Sequence, residues 1–197
     1  MPRSRYVLRK RAMSLWREGK PVRVVIGAGS RTYEGWLNTD LPVFNALRPA
    51  HWKSIFPPGS IDRILAEHVI EHWPEADFLS FLKNVRPFLS NQGVVRIAVP
   101  DGFHPDPDYI EFVRPGGSGI GAADHKVLYD QRMIENILSK AHYDYKLLEY
   151  YDEGGQFHQL PWDPADGFIE RSADFGHRNK KVPLSYTSLI VDTWPGR

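Results

Sequence analysis

The residues with the clearest chemical meaning are three in a row, Gly27, Ala28 and Gly29, closing the short apolar run Val22 to Ile26. A β-branched run that stops at such a tight turn reads as a buried strand whose exit loop lets backbone amides approach a ligand. Asp40, closing the next candidate strand (Gly35 to Asp40), is placed to accept from a pair of adjacent sugar hydroxyls. Turn and acid together point to an adenosine-containing ligand. A dinucleotide is disfavoured, because its fingerprint needs a third glycine where this chain has Thr32, and an acid farther along the chain.

A second cluster is built on histidine. His68, Val69, Ile70, Glu71 and His72 spell HxxEH, the pattern in which two imidazoles one helical turn apart bind zinc and the glutamate activates water. That chemistry needs a continuous helix, whereas the pentad falls between a candidate central strand and Pro74. It is therefore read as a loop after a strand, no metal site is expected, and zinc hydrolysis is kept only as a minor alternative. His104 and the group Asp124, His125, Lys126 and Tyr129 follow a later strand, where substrate-facing loops gather. His125 is the first candidate for a proton acceptor and His104 the second. Asp101, Tyr129 and Arg178 are candidate substrate contacts, the last beside Asn179 in a long late loop.

These residues require an alternating α/β framework. Ile61 to Ala66 suits a central strand after the turn Pro57 to Ser60, and Phe78, Leu82, Val85 and Leu89 repeat at helical spacing from Pro74 to the stop at Asn91, Gln92 and Gly93. Val94 to Val99 reads as the next strand, broken by Pro100, Asp101 and Gly102. Asp130 caps a helix carrying Met133, Ile134, Ile137 and Leu138, and Tyr145 to Tyr151 and Thr187 to Trp194 read as late strands. The pattern predicts a Rossmann-like doubly wound sheet, mostly parallel, with helices on both faces.

Composition narrows the function. The chain has 197 residues and a formal net charge of +1, so the global positive field of a dedicated nucleic-acid binder is missing. Cysteine is absent, which removes disulfides, thiolate metal sites and a cysteine nucleophile, and fits a cytoplasmic setting. No stretch approaches the roughly 18 apolar residues of a membrane span. Residues 1–20 form a basic arm, with Leu8, Ala12, Leu15 and Trp16 on one face of a candidate helix. It reads as a transit-like peptide, a binder of anionic surfaces or, the favoured expectation, an edge helix packed on the domain of residues 21–197.

The ordered blocks VVIGAGSRTYEGWLNTD, IFPPGSIDRILAEHVIEHW and FLKNVRPFLSNQGVVRIAVPD resemble those of a compact group of class I S-adenosylmethionine-dependent methyltransferases. The resemblance runs from about Val22 to Trp194. It implies a seven-stranded sheet with the last strand antiparallel, and S-adenosylmethionine across the carboxyl ends of the first, second and fourth strands. It also implies cofactor contacts from Gly27, Ala28 and Gly29, ribose binding by Asp40, and pocket lining by Glu67 and His68. The modest size of the chain and its lack of a global basic charge point to a small-molecule acceptor, such as a saccharide or lipid-linked intermediate. Two departures stand out. The first crossover is too short for the usual helix, and no acid near Ala50 is placed to hold the adenine amino group, leaving His51, Trp52 and backbone groups. A binding module that kept the cofactor pocket without turnover is the alternative.

Overall fold

The computed structural model describes residues 4–177, 179 and 184–196. In chain order the elements are α1 (Arg5–Arg17), β1 (Arg23–Ile26), β2 (Leu37–Thr39), α2 (Pro49–Ile55), β3 (Ile61–Glu67), α3 (Glu75–Val85), β4 (Leu89–Pro100), α4 (Pro107–Val113), α5 (Gln131–Lys140), β5 (Tyr143–Tyr151), β6 (Phe157–Gln159) and β7 (Ser188–Pro195), with short 3-10 turns between some of them. They build one seven-stranded sheet in the order β2-β1-β3-β4-β7-β5-β6. β2, β1, β3 and β4 are parallel, and β7 runs antiparallel to both β4 and β5. This is the α/β Rossmann-like sheet expected from the sequence, with an antiparallel far end.

Alternation along the strands divides the core in two. Val24 and Ile26 of β1, Ile64 and Ala66 of β3, and Val95 and Ile97 of β4 face one layer, into which α1, α2, α3 and α5 send their buried side chains. Val25, Leu65, Ala98 and Ile190 face the other, and there Trp36, Trp162 and Ile169 from loops supply the cover. This corrects the expectation of helices on both faces: among the described residues the second face is roofed by loops, since the crossover from β1 to β2 has no helix. Arg96, almost fully buried under that roof, pairs with Asp192 through two bonds of 2.7 and 2.8 Å and donates to the carbonyls of Asp163 (2.8 Å) and Gly167 (2.9 Å).

Several boundaries differ from the sequence reading for local reasons. α3 stops at Val85, because Pro87 cannot continue a helix, and β4 begins at Leu89 instead of Val94. The register between β3 and β4 shifts there, and Gly93 lies so close to the Ile61 carbonyl that a Cβ would stand 2.8 Å from it. α4 has no counterpart in the sequence reading, because it lies in a stretch rich in Pro and Gly, residues 105–121; Asp106 caps it by accepting from the Asp108 amide at 2.9 Å. β6, three residues long, extends the sheet inside the late loop. α5 is capped as expected, the Asp130 carboxylate accepting from the Met133 amide at 2.8 Å.

The described part of the basic arm is a packed helix. Leu8 and Ala12 join the core, and Arg9 donates to the Ser54 carbonyl at 2.9 Å. Trp16, placed by its spacing on the buried face, is instead 45% exposed. Among the described residues no helix is long and apolar enough to cross a membrane.

Candidate functional site

β1 ends at Ile26, and the chain turns through Gly27 (φ +64°) and Gly29 (φ +56°), both in the left-handed region that penalises a side chain. At Gly27 the need is doubled, since a Cβ would lie 2.5 Å from Val69 Cγ2. At Gly29 a Cβ would meet nothing within 4 Å, so the outer side of the turn is open. Between them Ala28 is buried and donates its amide to the Thr39 carbonyl at 3.0 Å. Asp40 follows at the carboxyl end of β2. Its two oxygens accept from the amides of Gly29 and Leu41, each at 2.7 Å, which joins the acid directly to the glycine turn.

The Asn-x-Asp spacing acquires a structural meaning here. Alternation along β2 turns Asn38 toward the crossover loop, where its amide group accepts from the Tyr33 amide (2.9 Å) and donates to the carbonyls of Tyr33 (3.2 Å) and Trp36 (3.3 Å). Side-chain staples thus replace the missing helix. They direct Tyr33 and Arg31 at Glu67, the last residue of β3. The Glu67 carboxylate, 3% exposed, accepts from the Tyr33 hydroxyl (3.0 Å), Arg31 (3.3 Å) and the Arg171 amide (3.2 Å), while Arg31 also pairs with Glu170. Burial, together with the Glu67 charge, pushes the Tyr33 hydroxyl up to about 12, so it remains a donor at neutral pH. Beside this group lies a cavity of about 250 Å³ lined by Arg31, Glu170, Arg171, Phe112 and Tyr186.

One residue further on, His68 adopts φ +53°, an uncommon conformation for a residue with a side chain. Its amide donates to the Ala98 carbonyl at 2.8 Å, its Nε2 lies 2.9 Å from Ser188 Oγ, and its Nδ1 lies 3.0 Å from Glu71 Oε1. Ser188 is fully buried in the β4–β7 ladder, so this line orients His68 and presents no accessible nucleophile. Glu71 is also fully buried. Burial pushes its carboxyl up, but the charge and hydrogen bond of His68 outweigh this and hold it below the usual range. The Glu71 carbonyl accepts from the amides of Lys126 (2.7 Å) and Val127 (3.2 Å), which brings His125 over the pentad. His125 Nδ1 lies 2.7 Å from the Val113 carbonyl and its Nε2 3.9 Å from Glu71 Oε1; its ring meets that of His72 edge-on, centroids 4.9 Å apart.

This arrangement corrects the zinc-peptidase alternative. His68 and His72 do not share the face of a continuous helix: only Ile70–His72 is helical, in 3-10 form, and the two rings take different partners. The sequence reading missed the true neighbours of the pentad, because the approach of His125 depends on backbone pairing at Glu71 that leaves no local signal.

Four further expectations are corrected by burial. Trp52 is fully enclosed, its indole N–H donating to the Ala46 carbonyl at 2.8 Å among Phe44, Phe56, Phe81 and Phe88; it is a core residue and no pocket wall. Tyr129 is equally buried and donates to the Trp73 carbonyl at 3.0 Å, which removes it from substrate contact. Asp101 accepts from the amides of Phe103 (3.0 Å) and Tyr151 (2.7 Å) and serves as an internal loop anchor; burial outweighs those bonds and pushes its carboxyl up to about 6. His104, 4% exposed, stacks on Tyr109 at 3.9 Å and accepts from the Asp106 amide, so it is no candidate base. Arg178 lies outside the described residues. Asn179 bonds the backbone of Ser172 and Tyr186 and shapes the late loop.

No family model matches the chain, and no curated protein matches it. Among solved structures it is similar to the CurJ carbon methyltransferase, at 12% identity and a TM-score of 0.50 over 98% of this chain and 54% of that one. A SAM-dependent methyltransferase from Archaeoglobus fulgidus matches at 14% identity and a TM-score of 0.49, over 96% and 93% of the two chains. LepI in its complex with SAM matches at 12% identity and a TM-score of 0.46, over 95% of this chain and 40% of LepI. The chain thus spans about half of the CurJ protein and less of LepI. At these identities the likeness to CurJ shows the fold alone.

Proposed function

We propose that this chain transfers a methyl group from S-adenosylmethionine to a small-molecule acceptor, a saccharide or lipid-linked intermediate being the class in view. The observation that carries the reading is the direct bond between the Gly29 amide and the Asp40 carboxylate at the carboxyl edge of adjacent parallel strands. Ligands of open α/β sheets bind at that edge. The residues present fit the cofactor: Asp40 is only partly buried and keeps lone pairs for a ribose diol, Gly29 opens to free space, and Glu67 supplies negative charge for a cationic ligand. The half-exposed Arg31 is the group that must yield when a cation approaches Glu67. His51 Nδ1 accepts from the Asn45 amide at 2.9 Å, which leaves its Nε2 and backbone groups for adenine contacts.

When bound, the cofactor supplies an electrophilic methyl group, and the chain's contribution is positioning and handling the acceptor's proton. For the second task His125 is best placed. The Val113 carbonyl can only accept, so Nδ1 carries a hydrogen, and Nε2 is the ring atom that faces the Glu71 side. His68, fixed between Ser188 and Glu71, orients that group. Val69 spans the space from the pentad to Gly27, which ties the histidine cluster to the cofactor turn.

Calorimetry with S-adenosylhomocysteine tests the reading. Binding that weakens in Asp40→Ala supports it, and absence of binding refutes it. In an acceptor screen, methylation of tRNA or protein alone would refute the small-molecule part, while binding without methylation of any acceptor would favour a non-catalytic module.

A further inference from the structure

We infer that Glu71, His72 and His125 form a binding site for one divalent transition-metal ion, of the Zn(II), Co(II) or Mn(II) kind. One ligand atom from each of the three lies within 4.8 Å of the others, and two imidazoles with one carboxylate are a donor set that such ions favour. Proximity alone would be weak ground. The independent observation is Glu71, fully buried, whose Oε2 has no hydrogen-bond partner. An unpaired buried carboxylate oxygen is costly, and a cation between Glu71 and the two rings removes that cost.

The surrounding bonds are those that prepare ligands. The Val113 carbonyl fixes His125 in the tautomer that presents Nε2, as carbonyls do behind metal-bound histidines. His68 Nδ1 lies 3.0 Å from Glu71 Oε1, the oxygen that also stands 3.9 Å from His125 Nε2, and so holds the carboxylate toward the two rings. The amides of Lys126 and Val127, both bonded to the Glu71 carbonyl, lock the His125 loop to the pentad. Three protein donors leave coordination positions for an outside ligand, as catalytic sites do. The site lies next to Val69, which packs against Gly27. Metal binding stands on the donor set; with an ion bound, His125 Nε2 is a ligand and not the proton acceptor, and the ion itself would hold and acidify an acceptor hydroxyl, a use that rests on the methyl-transfer reading above.

The test is titration of the untagged full-length protein with Co(II), followed by visible absorption and by proton NMR. One ion per chain is expected, displaced by Zn(II), with two hyperfine-shifted exchangeable imidazole N–H signals from His72 and His125. His125→Ala and Glu71→Gln should each weaken Co(II) binding at least tenfold. Failure to bind Co(II) at millimolar concentration overturns the inference, as does unchanged affinity in both folded variants. If a variant does not fold, the count of shifted imidazole signals in wild type decides, and fewer than two overturns the site. Co(II) binding without S-adenosylhomocysteine binding would leave the metal site standing and refute the cofactor reading; the reverse result would do the opposite.

Discussion

Replacing Gly27 by alanine should disturb the molecule in two separable ways. The backbone holds φ +64° there, and a Cβ in that region costs about 1–2 kcal/mol. The same Cβ would stand 2.5 Å from Val69 Cγ2. Valine is stiff at χ1, so the collision is relieved by displacement at about 1–3 kcal/mol instead of a free rotation. Gly27→Ala should therefore lose about 2–5 kcal/mol in total. Val69→Ala removes the obstructing methyls, so the double variant should recover the collision cost, leaving a favourable coupling of about 1–3 kcal/mol. Urea denaturation of the four proteins at constant slope measures this. Additivity within about 0.5 kcal/mol would refute the close approach of turn and pentad.

Other substitutions probe the remaining parts. Asp40→Ala should weaken S-adenosylhomocysteine binding by about 1.5–3 kcal/mol, the worth of charge-assisted bonds, as read by calorimetry; unchanged affinity would remove the acid from the site. Asp101 has its carboxyl raised from 3.8 to about 6, so the folded state holds a proton that the unfolded chain has released, and stability should fall as pH rises from about 4 to 6. Over that window wild type should lose about 3 kcal/mol relative to Asp101→Asn, measured from urea midpoints; parallel profiles would contradict it. Arg96→Met should cost about 3–5 kcal/mol by leaving Asp192 unpaired, and should make the late loop around Asp163 and Gly167 more sensitive to protease.

Local rules explain which parts were legible in sequence. The turn after β1, the Asp130 cap and the β3 run each follow from a few adjacent residues, and the structure contains all three. The short first crossover was legible too, but its replacement by Asn38 staples was not, since a side chain bonding five residues back leaves no periodic pattern. Aromatic residues suit a pocket wall and a core equally well; only packing decides, that of Trp52 against Phe44, Phe81 and Phe88 and that of Tyr129 against Phe78. HxxEH was legible as chemistry but not as geometry. His68 leaves the helical region, and the partner that completes the cluster, His125, arrives through a backbone ladder at Glu71.

A crystal of the protein grown with S-adenosylhomocysteine tests the cofactor site most directly. The expected density places the ribose hydroxyls at hydrogen-bond distance from Asp40, with the adenosyl group against Gly29 and Arg31 withdrawn from Glu67. Density for the adenosyl group elsewhere, or none with Asp40 still bonded only to Gly29 and Leu41, would contradict it.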